Sequence, residues 1–337
     1  STMPASTMAA GATMASGSTM AAGDTMAAST GPRGPVTLDQ CTGETRDRKV
    51  TYDAVPQRIF VLDPQSAEFL IALGLGDRIV ASWGMYSDAI LKRMPEYADA
   101  LRKIKVVGDD KTWPPPVEVI AAAKPDIVVT TYRLNIPGYL DATKLEKDLG
   151  IKAYTFLAGC TGAVTHTLEP EFEDIANLGR IFRVEARATA LIARIKGQVA
   201  QAQAIAKTHP RVSVWQYAGE KVPYPVAGRG IPNAIIWLAG GKNVFEDLPG
   251  FYAETSWEQI VKRNPSVVWL QTDAGPGFVQ AADGIQKATE SNPGLADVEG
   301  VKGKRYLVLP YTTAGVQSIH DGEAVLQFAK KLKELSS

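Results

Sequence analysis

A two-lobed α/β fold, with Rossmann-like lobes on parallel sheets joined by a long α-helix, is predicted by three features of the sequence. Short apolar runs alternate with helical stretches from about residue 58 onward, the pattern of parallel strands covered by helices on both faces. One passage recurs: VEVIAAAKPDIVV at 117–129 aligns without a gap with WEQIVKRNPSVVW at 257–269. Between the two copies lies a long segment, 169–208, whose apolar positions Ala188, Leu191, Ile192, Ile195, Val199, Ala202 and Ile205 recur at helical spacing. The division is therefore a low-complexity tether at 1–35, an N-terminal lobe at 36–165, an interlobe helix at 166–208 and a C-terminal lobe at 209–337.

The tether repeats Thr-Met among small and polar residues and cannot bury enough surface to fold. Its methionines are soft ligands that suit Cu(I), but without nearby His or Cys the reading as a flexible linker wins. The first lobe reads as strand RIFVL, loop DPQSA and helix EFLIALGLG, then strand DRIVAS with a loop carrying Trp83 and Tyr86. A charge-rich insertion and TWPPP lead to the Glu118 helix and a strand at 127–131. A helix near 141–149 and IKAYTF follow. The second lobe repeats the plan with RVSVWQY, NAIIWLAGG, KNVF, the Glu258 helix and VVWLQT, then a helix near 279–290, RYLVLP and a closing helix from 321 to 335. In each copy a proline, Pro125 or Pro265, ends the helix and opens the strand. An interlobe helix of about 24 residues spans roughly 36 Å, and its stiffness implies modest opening of the lobes.

At 337 residues, with 45% hydrophobic and 21% charged content, the chain has room for two cores. Thirty-six basic residues balance 36 acidic ones, which excludes a general nucleic-acid binder. No run is apolar and long enough to span a membrane. The chain starts at Ser1 with no signal peptide, as expected of a processed or trimmed product. Cys41 and Cys160 lie in polar loops. They read either as unrelated thiols or as a pair closing a long loop in an oxidising compartment.

Motifs for covalent or metal catalysis are missing. GRGIPNA lacks the third glycine of a dinucleotide fingerprint, AGGKN lacks the spacing of a phosphate loop, and His166, His209 and His320 are scattered. What recurs is aromatic and arginine residues in loops after strands: Trp83, Tyr86, Trp113, Tyr132, Arg133, Tyr217, Tyr224, Arg229 and Tyr311. Ligands of open parallel sheets sit beyond the carboxyl ends of the strands, and aromatic walls with a few cations suit a large, flat, partly anionic ligand. Any single ring is as readily a cap on its lobe's core.

In order and spacing, PQRIFVLDPQSAEFLIALGLGDRIVAS, VEVIAAAKPDIVV, DIANLGRIFRVEARATALI, the stretch from GRGIPNA to VVWL and the YLVLP ending resemble the helical-backbone (class III) substrate-binding proteins of ABC transporters. The resemblance covers residues 40–335 and is similar in type to Gram-positive actinobacterial members. It implies an extracytoplasmic, monomeric binding protein that hands a small-molecule metal chelate to a membrane permease. No resident cofactor, metal or catalytic residue is implied. Glu118 and Glu258 fall where members dock on permease arginines; the local alternative is a helix-dipole contribution of about 0.3–1 kcal/mol. The resemblance also implies a Cys41–Cys160 disulfide, and membrane contact through a lipid anchor whose cysteine is not in this sequence. Ferric siderophores are the expected cargo, with Arg133 and Arg229 neutralising the chelate. Cobalamin on Trp83, Trp113 and Tyr132 is the alternative, and haem would need an axial Tyr132, Tyr224 or His166. A rival of another class is an α/β enzyme acting on a nucleotide-like substrate, with Arg229 and its neighbouring glycines holding phosphate.

Overall fold

The structure, a computed structural model, is described for residues 34–42, 45–92, 94–108, 112–135, 138–160, 164–273 and 281–336. The tether expected over 1–35 lies, up to residue 33, outside the described residues.

The described chain opens with an antiparallel hairpin, β1 (Val36–Thr42) and β2 (Thr45–Tyr52). The N lobe continues with β3 (Ile59–Val61), α1 (Pro64–Ala72), β4 (Ile79–Ser82), α2 (Asp88–Leu91), α3 (Pro95–Arg102), α4 (Val117–Ala122), β5 (Ile127–Thr130), α5 (Ala142–Leu149) and β6 (Lys152–Thr155). Two helices follow, α6 (Glu169–Phe182) and α7 (Glu185–Ala206). The C lobe holds β7 (Val212–Tyr217), α8 (Ile231–Leu238), β8 (Gly241–Asn243), α9 (Trp257–Arg263), β9 (Val267–Thr272), α10 (Ala282–Glu290), α11 (Glu299–Lys302), β10 (Tyr306–Pro310), α12 (Tyr311–Ala314) and α13 (Asp321–Ser336).

Each lobe is built on a four-stranded sheet, in the order β4-β3-β5-β6 and β10-β9-β7-β8. Every pairing within these two sheets is parallel. Numbered by appearance within a lobe, both sheets run second, first, third, fourth, so the internal repeat seen in the sequence is a repeat of topology. Alternate strand residues feed different cores, as the two-residue period of a strand requires. Phe60 and Leu62 fill an outer N-lobe core, and Trp215, Tyr217, Val268 and Leu270 its C-lobe counterpart. Ile59, Val61, Val214, Val267 and Trp269 join one continuous core that also takes in Leu178, Ile195 and Phe328 of the long helices.

Three expectations need correction. The DPQSA loop is the first turn of α1: Asp63 caps it by accepting from the Ser66 amide, and Pro64 occupies the first position, where a missing N–H costs nothing. The charge-rich insertion after Tyr86 holds two helices, α2 and α3. The 166–208 bridge is two helices, because Arg183 turns left-handed (φ 59°) and ends α6. Only α7 acts as the rod. Arg187 donates to the Leu73 carbonyl (3.1 Å) and Arg194 pairs with Glu96 (3.1 Å) on the N lobe, while α7 also packs along α13 and α8 of the C lobe.

The hairpin was not foreseen, since TRDRKVTY is mostly polar and reads as a loop. It covers the otherwise open edge β6, a common device against edge-to-edge pairing. The Gln40 side chain accepts from the Thr155 amide (2.9 Å) and Tyr52 donates to the Ala153 carbonyl (3.2 Å). A disulfide joins Cys41 to Cys160, closing a sequence separation of 119 residues.

Candidate functional site

Loops at the carboxyl ends of the two sheets bring together part of the expected set. On the N lobe, Trp113 packs edge-on against Tyr132 (ring centroids 4.8 Å) and against Tyr139 (5.9 Å). All three rings remain more than a third exposed. On the C lobe, Tyr224 stacks on Tyr252 (6.1 Å, 12°), and Tyr252 lies 6.4 Å from Tyr311. Burial, and next Tyr311 and Asp63, hold the Tyr132 hydroxyl above its usual range. Burial likewise pushes Tyr311 up to about 12. The Arg133 guanidinium crosses to the Phe251 ring, 5.5 Å from its centroid. Phe251 in turn rests on Gly230, whose left-handed φ of 91° and missing Cβ make room for the ring. The Arg229 amide donates to the Gly250 carbonyl (2.9 Å), which sets the Arg229 backbone beside the segment that carries Phe251.

A buried polar group stands behind each wall. In the N lobe Asp63 accepts from the Ser66 amide (2.8 Å), the Thr131 amide (2.9 Å) and the Thr130 hydroxyl (3.0 Å). The Thr130 hydroxyl accepts in turn from the Tyr132 amide (2.9 Å), which directs that loop. Burial raises the Asp63 carboxyl, and its donors oppose the rise. In the C lobe Gln216 and Gln271, both buried, take the corresponding place.

Other expected residues stay out of the cleft. Trp83 is buried over Gly108, and its indole N–H donates to the Thr112 carbonyl (2.9 Å). Tyr217 stacks on Trp215 (5.1 Å) inside the C-lobe core and donates to the Glu220 carbonyl (3.0 Å). Tyr86 is buried and donates to Glu68 (3.1 Å), which faces His320 of the other lobe (3.3 Å). These three take the alternative role of rings that cap a core or a seam. His166 stacks on Trp237 (3.8 Å) and contacts Glu246 (3.1 Å), an engaged side chain instead of an open axial ligand. The glycines beside Arg229 make no phosphate cradle. The amides of Gly228, Arg229 and Gly230 donate to Leu248, Gly250 and the Thr165 hydroxyl respectively.

Sequence reasoning missed Tyr139, Phe251 and Tyr252. None directly follows a strand, although GFY in the loop before α9 is a visible aromatic pair. Glu118 and Glu258 are exposed, each the second residue of its helix, and each helix precedes the third strand of its lobe. Both helix N-termini therefore lie at the end of their sheet that carries the aromatic loops.

The seam below the walls is acidic. Asp174 accepts from Tyr154 (2.7 Å), Leu157 (2.9 Å) and Gln317 (3.0 Å), while burial pushes its carboxyl up to about 7. Glu171 and Asp321 are fully buried against each other; burial and mutual repulsion raise Glu171, and Asp321 sits at about 7.

The model of the periplasmic binding protein family matches residues 59–312. The chain belongs to that family. Among relatives of this binding protein, the vitamin B12-binding protein of Vibrio campbellii is 29% identical over 220 residues, 65% of this chain and 72% of that one. A periplasmic binding protein from Veillonella parvula superposes with a TM-score of 0.77 at 21% identity, covering 90% of this chain and 99% of the other. An ABC-type Fe3+-hydroxamate transport protein from Saccharomonospora viridis superposes with a TM-score of 0.71 at 22% identity, covering 88% and 99%. The binding protein thus has the two-lobed fold of that family and a non-enzymatic role as a substrate-binding component of an ABC importer, and its homologues are periplasmic or extracytoplasmic. Among the described residues no helix is long and apolar enough to cross a membrane.

Proposed function

We propose that this binding protein captures a corrinoid of the cobalamin type between its aromatic walls and delivers it to its importer. The supporting observation is the pair of aromatic walls, Trp113–Tyr132–Tyr139 on one lobe and Tyr224–Tyr252–Tyr311 on the other, with Arg133 reaching across to Phe251. They offer π faces and apolar area to a broad macrocycle. Haem held through His166 is disfavoured, because that ring is stacked on Trp237 and engaged with Glu246. The vitamin B12-binding relative supports the same reading. This order reverses the expectation from sequence, where ferric siderophores lead, because the aromatic walls are more extensive than the two arginines.

A ferric hydroxamate chelate is the second reading, favoured by the Arg133 guanidinium over Phe251 between the lobes. Titration of the purified protein with cyanocobalamin, a ferric trihydroxamate, a ferric tricatecholate and haemin, read by tryptophan quenching and calorimetry, separates the readings. Sub-micromolar binding of cyanocobalamin alone is the expected result. Binding confined to an iron chelate overturns the corrinoid reading. Glu118 and Glu258 are the proposed permease contacts in either case: Glu118→Ala with Glu258→Ala retains ligand affinity and loses cellular uptake. Loss of affinity in that double variant defeats the docking role.

A further inference from the structure

Behind the C-lobe wall runs an uninterrupted line of four hydrogen bonds. The Val226 amide donates to Gln216 Oε1 (2.9 Å), and Gln216 Nε2 donates to Gln271 Oε1 (3.1 Å). Gln271 Nε2 donates to the Tyr252 hydroxyl (3.1 Å), and that hydroxyl donates to the Gly315 carbonyl (2.8 Å). A backbone N–H can only donate, so the Val226 end gives both amides one permitted orientation; the Tyr252 hydroxyl also lies 3.3 Å from Gln271 Oε1, but its shorter donation is to the Gly315 carbonyl. Gln216 and Gln271 are each 1% exposed, and a broken link would leave a buried amide without a partner, the costly case for such networks.

The line joins five segments: β7, the loop after it that holds Val226, β9, the loop before α9, and α12 with its closing turn. Three of these carry wall residues, Tyr224, Tyr252 and Tyr311. Gly315 lies close against both the Tyr311 ring and Gln271 Nε2, so a Cβ at 315 would strike the two together. With its hydroxyl turned inward to Gly315, Tyr252 presents a ring face to Tyr224 on one side and Tyr311 on the other.

We infer that Gln271 is the positioning and specificity-determining residue of the C-lobe wall: by anchoring the Tyr252 hydroxyl it presents this wall as stacked ring faces, selecting ligands recognised by a flat apolar surface over ligands that need a hydroxyl donor or a metal-binding phenolate. The inference rests on the reading of Tyr224, Tyr252 and Tyr311 as a ligand wall. Gln216 acts one step further back by holding the Gln271 amide in its donating orientation.

A double-mutant cycle tests it in the full chain, with cyanocobalamin as the probe and the ferric trihydroxamate as probe if that is the compound the unaltered protein binds. Gln271→Met and Tyr252→Phe each weaken binding about tenfold, and the double variant is no weaker than the worse single variant, because both remove the same link. Additive losses, about a hundredfold together, overturn the inference, since a merely structural glutamine acts independently of the Tyr252 hydroxyl. Should Gln271→Met fail to fold, Tyr252→Phe alone decides: it retains the ring, so unchanged affinity overturns the proposal and a tenfold loss supports it. A ligand-free arm separates failure of the wall reading from failure of the positioning role. The Tyr252 hydroxyl proton should appear by NMR as a slowly exchanging resonance whose shift moves and whose exchange quickens in Gln271→Met; an unchanged shift and exchange rate there overturn the positioning role whatever the protein binds.

Discussion

The N lobe and the C lobe share a strand order but secure it differently. The N-lobe wall is directed by a carboxylate, Asp63, gathering N–H and O–H donors from α1 and the end of β5. The C-lobe wall is directed by two neutral amides. A buried carboxylate binds its donors strongly but must be ionised to do so, whereas an amide chain is directional and indifferent to pH. The N lobe also has a staple the C lobe lacks among the described residues, the Cys41–Cys160 bridge that fastens the hairpin over β6. Duplicated topology thus carries two separate solutions to one task, holding aromatic loops still at the carboxyl edge of a parallel sheet.

Experiments that break this comparison begin with the staple. Closing so long a loop is worth about 4–5 kcal/mol, so Cys41→Ser with Cys160→Ser should lower denaturant stability by that order. Hydrogen exchange should rise first in β1, β2 and β6, and uniform loss of protection in both lobes would show that the lobes are not separately secured. Next come the walls. Trp113→Ala with Tyr132→Ala, and Tyr224→Ala with Tyr252→Ala, should each weaken ligand binding by about 2–3 kcal/mol, roughly a hundredfold. An effect from one pair only would mean that a single lobe carries recognition.

The acidic seam predicts a pH dependence with a definite sign. Asp174 and Asp321 stand at about 7 in the folded protein, against about 3.9 in an unfolded chain. Between those values the folded state binds more protons, so their contribution is complete below pH 4 and is lost as pH rises through 7. The melting temperature should be about 3–6 °C lower at pH 8 than at pH 5.5. Asp174→Asn should reduce that difference by about half, leaving the Asp321 share, and a melting temperature that rises over the same interval contradicts the assignment. The smallest effect sharpens the comparison between the paired helices. α9 has a side-chain cap, Ser256 accepting from Gln259, whereas α4 begins at Pro116 without one. Ser256→Ala should cost about 1 kcal/mol. It should also let the Glu258 carboxyl, now held below its usual range chiefly by Ser256, rise back towards it by NMR titration.

Much of this architecture is legible in the residues. Strand and helix alternation, the glutamates offset between lobes and the helical spacing of 185–206 all appear as read. The β1–β2 hairpin does not, because an edge-covering strand buries few side chains and its sequence looks like a loop. The site is less legible for a geometric reason. Trp83 and Tyr132 lie just beyond a strand and Tyr217 ends one, yet Trp83 and Tyr217 turn inward and Tyr132 outward. One residue of register reverses a side chain's direction, and only partners distant in sequence, such as the Thr112 carbonyl for Trp83, decide it.

The 22-residue helix α7 is fastened to the N lobe by Arg187 and Arg194 and lies along α13 of the other lobe. Drawing the lobes far apart would require bending that rod and splitting the hydrophobic core the lobes hold in common. An importer would then meet nearly the same silhouette with cargo aboard or without it. Telling full from empty must fall to contacts at the cleft mouth or to the cargo's own exposed edge, so unloaded copies should compete with loaded ones for the same berth on the transporter.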